Sequence, residues 1–388
     1  MPQPSSPAVA PTVAVDLRAL VPEATGIGVY TRSLLAALGG GRFRYLGMAH
    51  REPQGLGELD LPVETHPAPL GVLWQQLHLP RRLRAGDADL FWSPLNTLPL
   101  ACPVPAVVTV HDLTAVLFPE AHTLKVRWSV LPFLARSLAA ARRVVAVSRA
   151  TADDLAFHFP ECAGRVRVIH SGVDAAFHPA DAATVARVRE ELGAPRGYVL
   201  SVGTLEPRKN LPALLSAWET LRADDEAFPP LVLVGGSGWG SKALRARIRR
   251  LEPYGVRLLG RVDDARLVEL YQGARVFAYP SLYEGFGLPV LEAMACGVPV
   301  VTSDLSSLPE VAGRAALTVD PRDTAALARA LARVVAEPGL AAELVGRGRE
   351  RAAGFRWSDT AAGMEEVFAE ALATGPAAAR GTGGARAG

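Results

Sequence analysis

Two glutamates, Glu284 and Glu292, stand with seven residues between them in the segment PSLYEGFGLPVLEAMACGVPVV at 280–301. A strand ending at Tyr279 would hand the chain to a loop carrying Glu284. Gly285 and Gly287 then let the backbone turn tightly before Pro289 sits in the first turn of a helix. The unpaired amides of that turn, around Phe286 and Leu288, join the helix dipole in making an anion site. Glu292, one turn inside the helix, has two carboxylate oxygens with which to reach a neighbouring diol. A diphosphate flanked by two hydroxyl-bearing rings fits this layout. Taken singly, each glutamate reads more simply, Glu292 as a first-turn partner of the dipole and Glu284 as a solvated loop charge. The Gly, Pro and Glu pattern as a whole turns the reading to ligand binding.

A second segment, YVLSVGTLEPRKNLPALL at 198–215, runs from a strand through a glycine turn to Arg208 and Lys209 and into a helix. That helix has Leu211, Leu214, Leu215 and Trp218 on its apolar face and Asn210 as its expected N-cap. Standing just before a helix N-terminus, the two cations would meet a phosphate together with backbone amides and neutralise a leaving diphosphate. A basic pair in a surface turn is the plainer alternative. Lys209 leans toward function, because the chain has only three lysines among its 41 basic residues.

The first half offers two further candidates. Gly26-Ile27-Gly28 follows a strand over 13–17 and precedes a helix over 30–38, where a GxG turn approaches a phosphate closely. The third glycine of the dinucleotide fingerprint is replaced by Thr31, so a plain tight turn fits equally and a nicotinamide dehydrogenase is disfavoured. His111-Asp112 end a strand over 107–110, where an imidazole would hydrogen-bond a sugar hydroxyl or simply serve the structure. No His, Cys and carboxylate spacing matches a metal-ligand set, so no metal and no cofactor beyond the substrate is expected. Asp263-Asp264 read as dipole partners of a following helix. No Ser-His-Asp order is legible.

These residues need elements to place them. Short β-branched runs at 12–15, 107–110, 144–147, 198–202, 231–234, 276–279 and 298–302 alternate with helix-length amphipathic segments. That is the βαβ rhythm of parallel sheets covered on both faces, and several runs end in Gly, Ser, His or Asp where such sheets bind ligands. The expected fold class is α/β, with two doubly wound, Rossmann-like domains. An N-terminal domain is expected at 12–178 and a second at 179–354. A helix over 355–374, with Met364, Val367, Phe368 and Ala371 on one face, returns to the first. Residues 1–11 and 375–388 have no periodicity and are expected outside the fold. At 388 residues two domains are the natural division.

With 49% hydrophobic and 21% charged residues the composition is that of an ordinary globular protein. A net charge of +2 with no Lys/Arg run excludes a phosphate-backbone reader, so no nucleic-acid partner is expected. Cys102, Cys162 and Cys296 are far apart and form no CxxC, which suits a reducing compartment. With neither a signal peptide nor an apolar span, a cytoplasmic location is expected. Residues 124–143, LKVRWSVLPFLARSLAAARR, mix basic, aromatic and apolar side chains as interfacial helices do, although Pro132 favours a helix packed on its own domain. Peripheral contact with a membrane is kept as an expectation on that segment.

Together these segments resemble glycosyltransferase family 4, the retaining "group 1" transferases of the GT-B fold, over most of 12–372. The resemblance is carried by EGFGLPVLEAMACGVPVV, GTLEPRKNL, LLGRVDDARLVELY at 258–271, GIGVYTRSLL and the HDL at 111–113. It implies that Glu284 contacts the transferred sugar, Glu292 binds the ribose hydroxyls, and Arg208 and Lys209 hold the diphosphate. It further implies that His111 contacts the donor sugar, that the Gly26–Gly28 loop approaches the phosphates, and that the backbone near Val262 borders the base. Where many relatives carry arginine this chain has Thr204, which offers a neutral hydrogen bond in place of a cation. The implied activity is metal-independent, retaining transfer of a hexose, with a leaning to mannose, from a nucleoside-diphosphate sugar to a glycan or lipid-linked acceptor. A nucleotide-sugar-binding module without catalysis is the alternative.

Overall fold

The computed structural model describes residues 10–373 apart from 22–25, 40, 58, 119–123, 237 and 239–240. Seven strands, β1 (Thr12–Asp16), β2 (Arg44–Ala49), β3 (Val63–Thr65), β4 (Leu90–Ser93), β5 (Ala106–Val110), β6 (Arg143–Ala146) and β7 (Val166–Val168), form one sheet in the order β3-β2-β1-β4-β5-β6-β7. Six more, β8 (Val199–Val202), β9 (Leu231–Val234), β10 (Val256–Gly260), β11 (Val276–Tyr279), β12 (Val300–Ser303) and β13 (Ala316–Val319), form a second in the order β10-β9-β8-β11-β12-β13. Every strand pair is parallel.

The central strands are buried and largely apolar because helices cover both faces of each sheet. All five residues of β1 and of β5 are buried, as are all four of β11. Residues opposite one another, such as Val15 and Trp92 across β1 and β4 or Phe277 and Leu200 across β11 and β8, fix the register. Strand order reverses beside β1 in one sheet and beside β8 in the other, which opens a crevice at the carboxyl ends of the strands there.

The helices that bear on the crevice are α1 (Gly26–Leu38), α2 (Arg149–His158), α3 (Leu211–Asp224), α4 (Asp264–Gly273), α5 (Leu288–Ala295), α6 (Leu308–Ala312) and α7 (Trp357–Ala373). α7 buries Met364, Val367, Phe368 and Ala371 against α1 and the first sheet. The Phe368 ring meets those of Phe43, Tyr45 and Trp92, and Arg143 clamps Glu370 at 2.6 Å. Among the described residues no helix is long and apolar enough to cross a membrane. The interfacial reading of 124–143 rests in part on side chains at 124–131 that lie outside the described residues.

Candidate active site

The crevice between the two sheets holds a cavity of about 330 Å³ lined by Gly26, His111, Thr204, Arg208, Lys209 and Glu284, with Gly285, Phe286, Gly287 and Leu288. Most of the residues singled out from sequence therefore meet in one place. They arrive from the carboxyl ends of β5, β8 and β11 and from the start of the helix after β1.

Glu284 is buried, and each of its oxygens meets a cation: Oε1 with Lys209 Nζ at 2.6 Å and Oε2 with Arg208 at 2.7 Å. Burial alone would raise this carboxyl, but Arg208 and Lys209 outweigh it and hold it at about 2. Burial pulls the Lys209 ammonium below its usual range against the upward push of Glu284. Its Nζ also donates to the Tyr279 hydroxyl and lies 4.8 Å from the centre of that ring. Arg208 is held between Glu284 and Glu206, the latter at 2.7 Å, and these carboxylates raise it despite burial. A solvated loop charge is thus the wrong description of Glu284. It is an ionised carboxylate set between two cations.

The local backbone accounts for the placement. Arg208 and Lys209 occupy a 3₁₀ turn, Pro207–Lys209, and Asn210 then takes a left-handed conformation, φ 53° and ψ 33°, before α3. Asn210 stands at the N-cap position but does not cap, because its side-chain amide donates to the Pro321 carbonyl at 2.6 Å. Asparagine suits this site through its tolerance of the left-handed region. Gly287, at φ 109°, makes the corresponding turn ahead of α5. The Gly26-Ile27-Gly28 segment departs from expectation: it is the first turn of α1 itself rather than a loop before it. The amides of Gly26 and Ile27 are therefore helix N-terminal amides beside the cavity, with Gly28 buried behind them.

His111 follows β5, and its Nε2 lies 2.9 Å from the Pro94 carbonyl. A carbonyl only accepts, so Nε2 carries the proton and Nδ1 is left as an acceptor. Burial lowers the imidazole to about 4, so it is neutral at physiological pH. The Tyr30 ring packs against it perpendicularly, with ring centres 4.7 Å apart.

Glu292 and Val262 are not part of this lining. Glu292 accepts from the Tyr271 hydroxyl at 2.8 Å, and burial raises its carboxyl to about 7, with Asp264 and Asp174 adding to the rise. Val262 is partly buried and packs on the hydrophobic core. Asp263 caps α4 by accepting from the Arg266 amide at 2.7 Å. Among the described residues no three His, Cys, Asp or Glu side chains gather as a metal site. Sequence reasoning passed over Tyr30, Tyr279 and Ser171, which also line the cavity. Their one signal was position, Tyr279 being the last residue of a buried strand.

Two family models cover most of the chain, Glycosyltransferase Family 4 at residues 24–177 and Glycosyl transferases group 1 at 196–337. O-antigen chain mannosyltransferase B of Escherichia coli is 34% identical over 358 residues, 86% of this chain and 93% of that protein. The chain belongs to glycosyltransferase family 4. This glycosyltransferase is also 37% identical over 255 residues, 61% of its own length, to D-inositol 3-phosphate glycosyltransferase of Salinispora arenicola, of which it covers 56%. In fold it matches Anabaena HepE, solved with UDP and glucose, at a TM-score of 0.74 and 21% identity over 92% of this chain and 99% of that one. Its two facing parallel sheets are the GT-B arrangement.

Proposed function

We propose that this glycosyltransferase moves mannose from a nucleoside-diphosphate donor to a glycan or lipid-linked acceptor, with retention at the anomeric carbon and without a metal ion. The observation that carries the proposal is the cluster of buried Glu284 and Lys209 with half-buried Arg208, which lines one cavity with neutral His111. The leaning to mannose rests on the mannosyltransferase relative that matches along most of both chains.

In this reading the donor diphosphate lies against Arg208, Lys209, Thr204 and the first amides of α1, with further amides supplied at 285–288. These groups neutralise the charge that develops as the bond from the anomeric carbon to the diphosphate oxygen breaks. Glu292 holds the ribose hydroxyls and the backbone at Val262 borders the base. His111, through Nδ1, accepts from a hydroxyl of the transferred sugar. Glu284, ionised well below neutral pH, offers a negative charge to the electron-poor sugar and has no proton to give. The acceptor hydroxyl forms the new bond on the face the diphosphate leaves, and its proton passes to a diphosphate oxygen.

The test is a thermal-shift series with UDP, GDP, ADP and their hexose conjugates, with and without EDTA, followed by NMR of the product anomer. A ligand at 100 times its dissociation constant raises stability by about 2.7 kcal/mol. One nucleotide series should stabilise regardless of EDTA, and the product should keep the donor's anomeric configuration. Binding that EDTA abolishes, or an inverted product, sinks the proposed mechanism. Donor binding without turnover on any acceptor would favour a non-catalytic sugar-nucleotide-binding module.

A further inference from the structure

The loop that carries Glu284, residues 280–287 between β11 and α5, is gripped from both halves of the molecule. Glu284 and Phe286 are tied to their own half. The Glu284 carbonyl accepts from the Ser306 and Ser307 hydroxyls at 2.5 and 2.9 Å, and the Phe286 carbonyl accepts from Ser307 at 2.7 Å. Gly285 and the side chain of Tyr283, whose carbonyl accepts from Arg208 of its own half at 3.2 Å, are tied to the opposite half. The Tyr283 hydroxyl donates to Asp154 Oδ2 at 2.8 Å and accepts from the Leu113 amide at 3.2 Å. The Gly285 carbonyl accepts from Ser148 Oγ at 2.6 Å and from Thr151 Oγ1 at 3.1 Å.

Three of these partners come from one element. Ser148 is the N-cap of α2, and Thr151 and Asp154 follow at spacings of three, which places all of them on one side of the helix. The start of α2 is in turn fixed by the half that carries the loop. The amides of Arg149 and Ala150, two of those a helix cannot pair internally, donate to the Glu310 carboxylate on α6 at 2.9 and 3.3 Å. His170 Nε2 meets the same carboxylate at 2.6 Å. Burial works against the Glu310 charge, and His170 with the two amides overcomes it, so the carboxyl stays below its usual range. None of Ser148, Thr151, Asp154, Tyr283 and Glu310 lines the cavity.

We propose that α2 is the positioning element of this active site: Ser148, Thr151 and Asp154 place Glu284 by holding the residues on either side of it, and Glu310 locks α2 to the half that carries the loop. The inference rests on the reading of Glu284 as the group that meets the transferred sugar. Parting the two halves breaks these bonds together, so the loop is held from both sides only when the crevice is shut. A displacement of about 1 Å at such a residue is enough to cost on the order of 10²-fold in rate.

Three single variants of the full chain test it, Tyr283→Phe, Thr151→Val and Glu310→Gln, with Glu310→Asp as the conservative control. Amide hydrogen exchange should quicken ~10-fold or more across 280–288 in each variant, while the two sheets keep wild-type protection. Affinity for UDP or GDP, whichever the wild type binds, should stay within about threefold, and turnover should fall by roughly 10- to 100-fold with Glu310→Asp intermediate. Wild-type exchange over 280–288 overturns the proposal, as does a fall in turnover matched by an equal loss of nucleotide affinity. Absence of turnover in the wild type with every sugar nucleotide would instead count against the glycosyltransferase mechanism, and the exchange result would still decide whether α2 holds the loop.

Discussion

A β-carbon placed on Gly285 would stand 1.6 Å from the carbonyl oxygen of His111. Gly285 has no positive φ, so the requirement is one of approach between two backbones rather than of conformation. Glu284 precedes Gly285 in the chain and His111 follows β5 of the other sheet, so this contact limits how closely the two sides of the cavity meet. Gly285→Ala should hold the halves apart. Arg208, Lys209 and Glu292 all lie beside the second sheet, so binding of the nucleoside diphosphate should change by only a few-fold, while turnover falls on the order of 10²-fold. Steady-state rates beside calorimetric titration with UDP and GDP measure both. An alanine variant with normal turnover would show that the crevice never needs to close this far.

Glu284→Gln and Lys209→Ala should each cut turnover by on the order of 10² to 10³ while the protein remains folded, because each removes a charge aimed at the transition state. Glu284→Gln carries a second signature. A carboxyl held at about 2 instead of its ordinary 4.5 is stabilising above pH 4.5, and that contribution disappears as the pH falls toward 2. The stability gap between wild type and Glu284→Gln should therefore be full at pH 7 and shrink on acidification, which denaturant melts between pH 7 and 3 would follow. A gap that stays constant over that range would mean that the fold does not depress the Glu284 carboxyl.

The motifs were legible because each is a local event, a strand end, a turn and a helix start within some twenty residues. What escaped was either weakly patterned or distant. β4, LFWS, and β13, ALTV, lack the alternation that marks a half-exposed strand, and β10, VRLLG, mixes arginine and glycine into its run. The start of α1 was set too late because glycine is a poor helix former, and two glycines in the first turn read as a loop. Asn210 was given the commonest role of asparagine before a helix, whereas the backbone there is left-handed and the side chain turns to Pro321. The grip on the Glu284 loop had no sequence signal at all. Tyr283 and Asp154 are 129 residues apart, and Glu310 and Arg149 are 161 apart, so only the assembled fold brings them together.

Glu292 behaves oppositely to Glu284. Burial raises its carboxyl to about 7, so between pH 4.5 and 7 the folded chain keeps a proton that the unfolded chain has released. The sign is then that stability from this group falls as pH rises through that window. Glu292→Gln removes the titration, and its melting temperature should gain on the wild type from pH 5 to about pH 7 and level off above that. Parallel pH profiles for the two proteins would place the Glu292 charge in water rather than beside Tyr271.

Thr204 lines the cavity beside Arg208 and is itself exposed, so a long side chain there has room to extend toward the cavity without disturbing the core. Thr204→Arg restores the cation that the resemblance leads one to expect at this position, and a guanidinium donates to two phosphate oxygens at once. Affinity for UDP or GDP should tighten by roughly threefold to tenfold at low ionic strength, and the gain should fade with added salt because the new charge is partly open to solvent. Titrations at about 20 and 500 mM salt separate this from a change in fit. Turnover need not follow, since an interaction made equally by bound donor and transition state lowers KM without raising kcat. If the arginine variant binds neither nucleotide more tightly at low salt, the diphosphate does not lie against residue 204, and the cradle is formed by Arg208, Lys209 and the amides at the start of α1 and at 285–288.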